Sequence, residues 1–222
     1  MSDAPALQVE IYSDVICPWC YIGKRRFEAA LAEVAAEGIK VSTTYRAFQL
    51  DPGADPDRSE PAVAGYARKF GGPERAEAII DHVSSVAAGD GLEFNMGIAQ
   101  RANTLRAHRM IRRADGPTVP YTQHDMVEAL LSAYFCEGRD VGDVDTLTSI
   151  AGALGDDENL VREFLTSDAL AGDVDAEIAS AGQRGVTAVP TYIINGEWSI
   201  PGAQDAETFS RVLRRLAERT GA

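Results

Sequence analysis

The spacing of apolar residues predicts that the chain opens with a strand–helix–strand unit. Residues 7–12 alternate apolar and polar positions, which predicts a strand. Residues 18–36 carry apolar side chains at helical spacing, and Gly38 ends the predicted helix. Residues 41–48 predict a second strand. This order is typical of a parallel strand pair in an α/β arrangement.

The middle of the chain is predicted to be helical almost throughout. A turn-rich linker at residues 51–61 leads into it. The candidate helices, with Asp, Ser and Thr residues as N-caps, are 73–88, 104–114, 122–136, 145–154, 157–165 and 167–181.

Strand patterns return near the C-terminus. Residues 190–194 are rich in β-formers, Asn195-Gly196 is a strong hairpin signal, and 197–200 forms the partner strand. An amphipathic helix follows at 205–219. We therefore predict a discontinuous α/β domain at 1–60 and 183–222, interrupted by a helical domain at 61–182.

The amino-acid composition and net charge exclude some classes of partner. The chain has 222 residues, 45% of them hydrophobic, which is enough for a core without disulfide staples. Its net charge of −13 repels phosphate backbones and anionic membranes, so we expect neither nucleic acid nor membrane as a partner. No apolar run is long enough to span a bilayer. Residues 1–6 show no feature of a secretory signal, which leads us to expect a cytoplasmic location.

The candidate chemistry lies in the run Cys17-Pro18-Trp19-Cys20, between the first strand and the first helix. Unpaired N–H groups at a helix N-terminus stabilise a thiolate at Cys17, and Pro18 suits the first helical position. Cys20 follows about one turn later, close enough for a disulfide. We predict that Cys17 attacks a substrate disulfide and that Cys20 resolves the mixed disulfide, without a metal or organic cofactor.

Two other interpretations of the cysteine pair stay open. The pair could form half of a zinc site. Its remaining ligands would have to come from Cys136, His82, His108 and His124, none of which forms a second close pair. The two cysteines could also be buried structural residues. Cys136 lies in an apolar helical run and is expected to be a buried small hydrophobic residue.

Together, the order of elements, the cysteine motif and Val189-Pro190 resemble the DsbA-like branch of the thioredoxin superfamily. The stretches that resemble its FrnE-like cytosolic group are 14–24, 45–52, 103–109 and 200–204. The resemblance implies an α/β, thioredoxin-like fold with an inserted all-helical domain. It also implies a cis bond before Pro190, which would face the cysteines, and a backbone at Val189 that pairs with substrate by strand addition.

The resemblance further implies a protein disulfide oxidoreductase or isomerase, acting on disulfide- or thiol-containing proteins, peptides or small molecules. Periplasmic DsbA proteins typically carry a His where this chain has Trp19, so a strongly oxidising potential does not carry over. We predict that Pro18 and Trp19 contact substrate, with Trp19 lining an apolar patch. Dimers are common in similar folds, and a homodimer is an open expectation.

Two alternative functions stay open. Kappa-type glutathione transferases and 2-hydroxychromene-2-carboxylate isomerases resemble this chain in an Asn-Thr…His segment like Asn103, Thr104 and His108, and would use glutathione as co-substrate. The second alternative function is that of a redox-responsive chaperone or sensor. Having both cysteines favours dithiol chemistry. We expect His108 to hydrogen-bond a neighbour, and Asn103 and Thr104 to cap a helix first and contact substrate second.

Overall fold

The structure is a computed structural model that describes residues 6–221. The strands of this part are β1 (Leu7–Ser13), β2 (Val41–Ala47), β3 (Glu60–Pro61), β4 (Gln100–Arg101), β5 (Thr191–Ile194) and β6 (Trp198–Pro201). Its helices are α1 (Pro18–Ala36), α2 (Ala62–Phe70), α3 (Pro73–Gly89), α4 (Leu105–Arg113), α5 (Gln123–Phe135), α6 (Val144–Ala153), α7 (Glu158–Thr166), α8 (Ala171–Gln183) and α9 (Ala206–Thr220). The prediction that no secretory signal occupies the first residues concerns a segment that, up to Pro5, lies outside the described residues.

A four-stranded sheet in the order β2-β1-β5-β6 forms the centre of the fold. Strand β1 pairs with β2 in parallel and with β5 antiparallel, so the predicted strand–helix–strand opening is confirmed. The β5–β6 hairpin turns at Asn195 and Gly196, both with positive φ, as a type I′ turn requires. The sequence thus predicts the four strands and the hairpin correctly, because each of them follows from a local pattern.

Helices α1 and α9 pack together and place aromatic rings against the sheet. The rings of Phe27 on α1, Tyr192 on β5 and Phe209 on α9 contact one another, with centroids 4.7 to 5.0 Å apart. All three side chains are buried. Such tilted and edge-on contacts add to the stabilisation that burial of the rings provides. This packing holds the middle of α1 against the sheet, and the cysteine pair lies at the start of the same helix.

Helices α2 to α8 lie between β2 and β5 in the chain and form the predicted helical insertion. An ion pair joins it to α1: Lys24 of α1, whose side chain is 2% exposed, lies 2.6 Å from Glu128 on α5. None of the helices in residues 6–221 is long and apolar enough to cross a membrane.

Three local predictions for the insertion are incomplete or wrong. The sequence analysis does not single out α2, a short helix with Gly65 in its interior, or the two-residue pairing of β3 with β4. Helix α8 begins at Ala171 rather than at residue 167. The reason is the buried Arg109, whose guanidinium binds the carbonyl oxygens of Ser167 and Ala169 at 2.6 and 2.8 Å. Those carbonyls are therefore held in a turn.

Candidate active site

The two cysteines of the motif lie at the predicted junction between β1 and α1. Cys17 occupies the N-cap position and Pro18 the first turn. The N–H of Cys17 donates to the carbonyl of Asp14 at 3.1 Å, and the N–H of Cys20 donates to the carbonyl of Cys17 at 3.0 Å. Both cysteines are unpaired and each is only 3% exposed. The turn therefore brings the two thiols together in a recessed position.

The two thiols differ in their surroundings. Burial raises the pKa of Cys20 well above its usual value, and a hydrogen bond with Cys17 raises it further. Hydrogen bonds from the Ser13 side chain and the Asp14 backbone counteract this only in part. Cys20 is consequently a protonated thiol at neutral pH. This environment suits a residue that reacts second, because the thiolate is the nucleophilic form.

The loop before β5 lies against Cys17. The peptide bond between Val189 and Pro190 is cis. The thiol of Cys17 donates to the carbonyl oxygen of Val189, with 3.6 Å between sulfur and oxygen. Val189 is half-buried and Pro190 is buried. The structure therefore brings the predicted residues of this loop next to the predicted nucleophile.

Gly23 permits α1 to approach this loop closely. A Cβ atom at Gly23 would lie 2.8 Å from the hydroxyl oxygen of Tyr192 and 3.1 Å from Cγ of Pro190. Both distances are shorter than ordinary packing allows, so a larger residue would displace the loop. Gly23 lies in the stretch 14–24 that resembles the FrnE-like group, but its spacing in the sequence does not indicate this close approach.

A buried pair, Asp14 and His108, ties the cysteine loop to the helical insertion. Nε2 of His108 lies 3.0 Å from the carbonyl oxygen of Phe48 and 3.3 Å from Oδ1 of Asp14. Because a carbonyl can only accept, this nitrogen carries the proton. The N–H of Leu50 donates to the other oxygen of Asp14 at 2.7 Å. The expectation that His108 hydrogen-bonds a neighbour is confirmed, whereas the sequence analysis missed Asp14.

A pocket of about 690 Å³ opens beside Cys17. On the sheet side it is lined by Cys17, Pro18, Trp19 and Val189, and on the opposite side by α2 and α3. Trp19 is 38% exposed, and its ring centroid lies 6.4 Å from that of His82 on α3. The pocket thus contains three of the four predicted substrate contacts, while Pro190 lies behind its wall.

Two tyrosines of the helical side line the pocket near Cys17. Burial raises the pKa of Tyr66 to about 12, and the neighbouring Cys17 contributes to the shift. Burial also raises the pKa of Tyr134 well above its usual value. Both side chains are therefore neutral phenols at physiological pH and offer the pocket an apolar face with hydroxyl donors.

Comparison with known proteins identifies the family. The model of the DSBA-like thioredoxin domain family matches residues 8–214. The chain belongs to this family. Together with the cysteine pair at the start of α1, this membership makes the chain a DsbA-like thiol–disulfide oxidoreductase.

Individual proteins are similar to this chain over most of its length. The structure of a probable DsbA oxidoreductase from Streptomyces coelicolor is 33% identical, with a TM-score of 0.84, covering 94% of this chain and 89% of that one. An uncharacterised Bacillus subtilis protein, YwbO, is 26% identical over 93% of this chain and 96% of its own length. A 2-hydroxychromene-2-carboxylate isomerase shares the fold, with 18% identity, a TM-score of 0.67 and coverage of 96% and 98%.

Asn103 and Thr104 lie at the start of α4, and only one of the two side chains caps the helix. Thr104 occupies the N-cap position of α4 but makes no capping bond with its side chain. Oδ1 of Asn103 accepts from the N–H of Leu105 at 3.0 Å instead. Gln49 donates to both side chains, at 3.3 and 3.4 Å. Neither residue lines the pocket beside Cys17, so their contacts hold the insertion against the segment after β2.

The remaining candidate ligands are dispersed. Among residues 6–221 there is no group of three or more His, Cys, Asp and Glu side chains that could hold a metal ion. Cys136 is half-buried rather than fully buried, because α5 ends at Phe135 and Cys136 lies at its C-cap. Burial raises the pKa of its thiol. Cys136 therefore packs against the core as expected for a small hydrophobic residue, but it is half-buried rather than buried.

Proposed function

We propose that the protein catalyses dithiol–disulfide exchange on protein or small-molecule disulfides, with Cys17 as nucleophile and Cys20 as resolving residue. The observation that carries this proposal is the asymmetry of the pair. Cys17 lines an open pocket at a helix N-terminus, whereas Cys20 lies behind it with a raised pKa. A helix N-terminus favours a thiolate on the residue that must react first.

The exchange proceeds in two balanced steps. The Cys17 sulfur attacks one sulfur of the substrate, so that a Cys17–substrate disulfide forms, the substrate S–S bond breaks and a thiolate leaves. Cys20 then attacks the Cys17 sulfur, which releases the second substrate thiol and closes the Cys17–Cys20 disulfide. The enzyme loses two electrons and the substrate gains them. The reverse sequence delivers a disulfide, and the reduction potential of the pair decides the net direction.

Docking rests on the loop beside Cys17. The hydrogen bond from the Cys17 thiol to the Val189 carbonyl supports the proposal that the substrate backbone pairs with Val189, next to Pro190, by strand addition. Pro18 and Trp19 supply apolar contact from the pocket wall. We also propose membership of the FrnE-like group and action in the cytoplasm, on the four resembling stretches of sequence.

Redox equilibration tests the proposal directly. Wild-type protein is equilibrated against glutathione buffers of graded potential, and its thiols are labelled and located by mass spectrometry. We expect one reversible two-electron couple confined to Cys17 and Cys20, with Cys136 labelled throughout. We expect Cys17→Ser to abolish turnover, by at least about a thousandfold, and Cys20→Ser to accumulate a mixed disulfide on Cys17. Cys136→Ser is the matched control and should behave as wild type.

Other outcomes would redirect the assignment. An inert pair, or a stable single glutathione on Cys17, would contradict dithiol exchange and favour the glutathione-dependent transferase or isomerase alternative. Protection of an unfolding client protein without any disulfide turnover would favour the redox-responsive chaperone. Mixed disulfides trapped by Cys136 in the Cys20→Ser variant would move the resolving role to that residue.

A further inference from the structure

The nucleophile is recessed in a pocket of small-molecule size. Cys17 is 3% exposed and lines the pocket of about 690 Å³ that α2 and α3 wall off on the opposite side. Pockets for small ligands typically measure roughly 300 to 1,000 Å³. A low-molecular-weight disulfide fits inside a space of these dimensions and can reach the recessed Cys17 sulfur there. A disulfide held in a folded protein has to bring the bulky chain around it up to the same sulfur.

The pocket interior is apolar and part of it is exposed to solvent. Trp19 and Ile79, which are 38% and 40% exposed, are two of the four large apolar side chains that the described part of the chain leaves exposed. Both line this pocket, together with Ile80, Val83 and Met96. An exposed apolar surface of this kind marks a binding site, because a ligand that covers it removes apolar area from water. The side chains favour a ligand with an apolar or aromatic body.

The net charge of the residues that line the pocket is positive, whereas the net charge of the whole chain is negative. Its net charge is −13, yet the charged residues that line the pocket are Arg68, Lys69, Arg101 and Asp51. Arg101 binds Asp51 and Glu60, and Arg68 binds Glu60.

Lys69 is the cation left for a ligand. It is exposed, and its side chain makes a cation–π contact, with Nζ 5.8 Å from the ring centroid of Phe70. No carboxylate of residues 6–221 lies within ion-pair distance of it. An anionic group entering the pocket would therefore find an unneutralised ammonium group at its edge.

We propose that the pocket selects low-molecular-weight disulfides that carry an apolar body and a carboxylate, in preference to disulfides of folded proteins. This inference rests on the proposed function, since it assigns a substrate class to the same cysteine pair. The small disulfide receives two electrons and leaves as two thiols, whose protons come from Cys17 and Cys20, and the protein is left with the Cys17–Cys20 disulfide.

Single-turnover kinetics of the fully reduced protein test the substrate class, because the two cysteines are then the only reductant needed. The probes are dithiobis(nitrobenzoate), which is aromatic and anionic, dithiodipyridine, which is aromatic and neutral, cystamine, which is cationic, and insulin as a protein disulfide. Each rate is divided by the rate of the same probe with free dithiothreitol. We expect the normalised rate for dithiobis(nitrobenzoate) to exceed those for cystamine and insulin by at least about tenfold.

Exposed variants with matched controls locate the selectivity in the pocket. Lys69→Glu should lower the normalised rate of dithiobis(nitrobenzoate) by about fivefold and that of dithiodipyridine by less than about twofold. Ile79→Gln should lower both by about threefold. The controls are Arg215→Glu and Leu160→Gln, which alter exposed residues of α9 and α7 outside the pocket and should leave all rates unchanged.

The outcomes separate the two proposals. If insulin and cystamine match dithiobis(nitrobenzoate) after normalisation, or if Lys69→Glu and Ile79→Gln behave like their controls, the selective pocket is wrong while dithiol exchange stands. If no probe produces the Cys17–Cys20 disulfide, dithiol exchange itself fails.

Discussion

The two sides of the pocket are built in different ways. On the sheet side, Cys17 and Pro190 are buried, and backbone hydrogen bonds and the approach at Gly23 fix their positions. On the side of α2 and α3, Lys69 and Ile79 are exposed to solvent. The first side holds the reacting sulfur, and the second presents side chains that are free to meet a ligand.

Because of this difference, the two sides of the pocket should tolerate amino-acid substitutions to different degrees. Substitutions on the sheet side disturb packing and therefore alter stability and the reaction together. Substitutions of exposed residues on α2 and α3 alter only which molecules bind, because exposed positions contribute little to stability. The following predictions test that division.

The largest expected effect concerns the buried pair between the cysteine loop and α4. His108→Leu removes the N–H shared by Asp14 and the Phe48 carbonyl, which leaves a buried carboxylate without this partner. We expect the free energy of unfolding to fall by about 3 kcal/mol in urea denaturation. The control is His124→Leu, whose side chain is 51% exposed and should cost less than about 1 kcal/mol. Equal losses for the two variants would show that the buried pair is not special.

A second test concerns the close approach of α1 to the loop at Pro190. Gly23→Ala places a methyl group against Tyr192 and Pro190, and we expect it to lower the free energy of unfolding by about 1 to 3 kcal/mol and to slow exchange. The matched control is Gly89→Ala in α3, where an added Cβ meets nothing within 4 Å and should be neutral or stabilising. A Gly23→Ala protein as stable and active as wild type would show that the loop shifts without cost.

The raised pKa of Cys20 predicts how resolution depends on pH. Burial is the largest cause of the shift and persists when Cys17 is in a mixed disulfide. Below a raised pKa, the thiolate fraction grows about tenfold per pH unit, so the resolution rate should rise with that slope between about pH 6 and pH 9. Rapid-quench analysis of a preformed mixed disulfide measures this rate, with Cys20→Ser as the blank. A plateau near neutral pH would contradict the raised pKa.

The smallest expected effect concerns Trp19. It lies between the two cysteines on the sheet side of the pocket, but its side chain is exposed. Trp19→Ala should slow exchange by about threefold through lost apolar contact, and should reduce stability by less than about 1 kcal/mol. The control is Trp198→Ala on β6, which does not line the pocket and should leave the exchange rate unchanged. Unchanged exchange in Trp19→Ala would remove this residue from the substrate site.

Features that depend on neighbouring residues can be predicted from the amino-acid sequence of this protein. The alternation in β1, the Asn195-Gly196 turn and the position of Cys17 before Pro18 are local signals, and the structure reproduces each of them. Periodicity alone predicted an α/β arrangement, and the resemblance to DsbA-like proteins specified it as a thioredoxin-like fold with a helical insertion. Each of these features is encoded within a few positions of where it occurs.

The contacts that join distant segments become visible only in the folded structure. Asp14 and His108 are 94 positions apart, and neither residue's spacing indicates its partner. The turn that delays α8 depends on Arg109, about 60 positions earlier in the chain, and the pocket depends on how α2 and α3 lie across the cysteines. Burial and long-range hydrogen bonding arise from the packing of whole elements, which local sequence patterns do not specify.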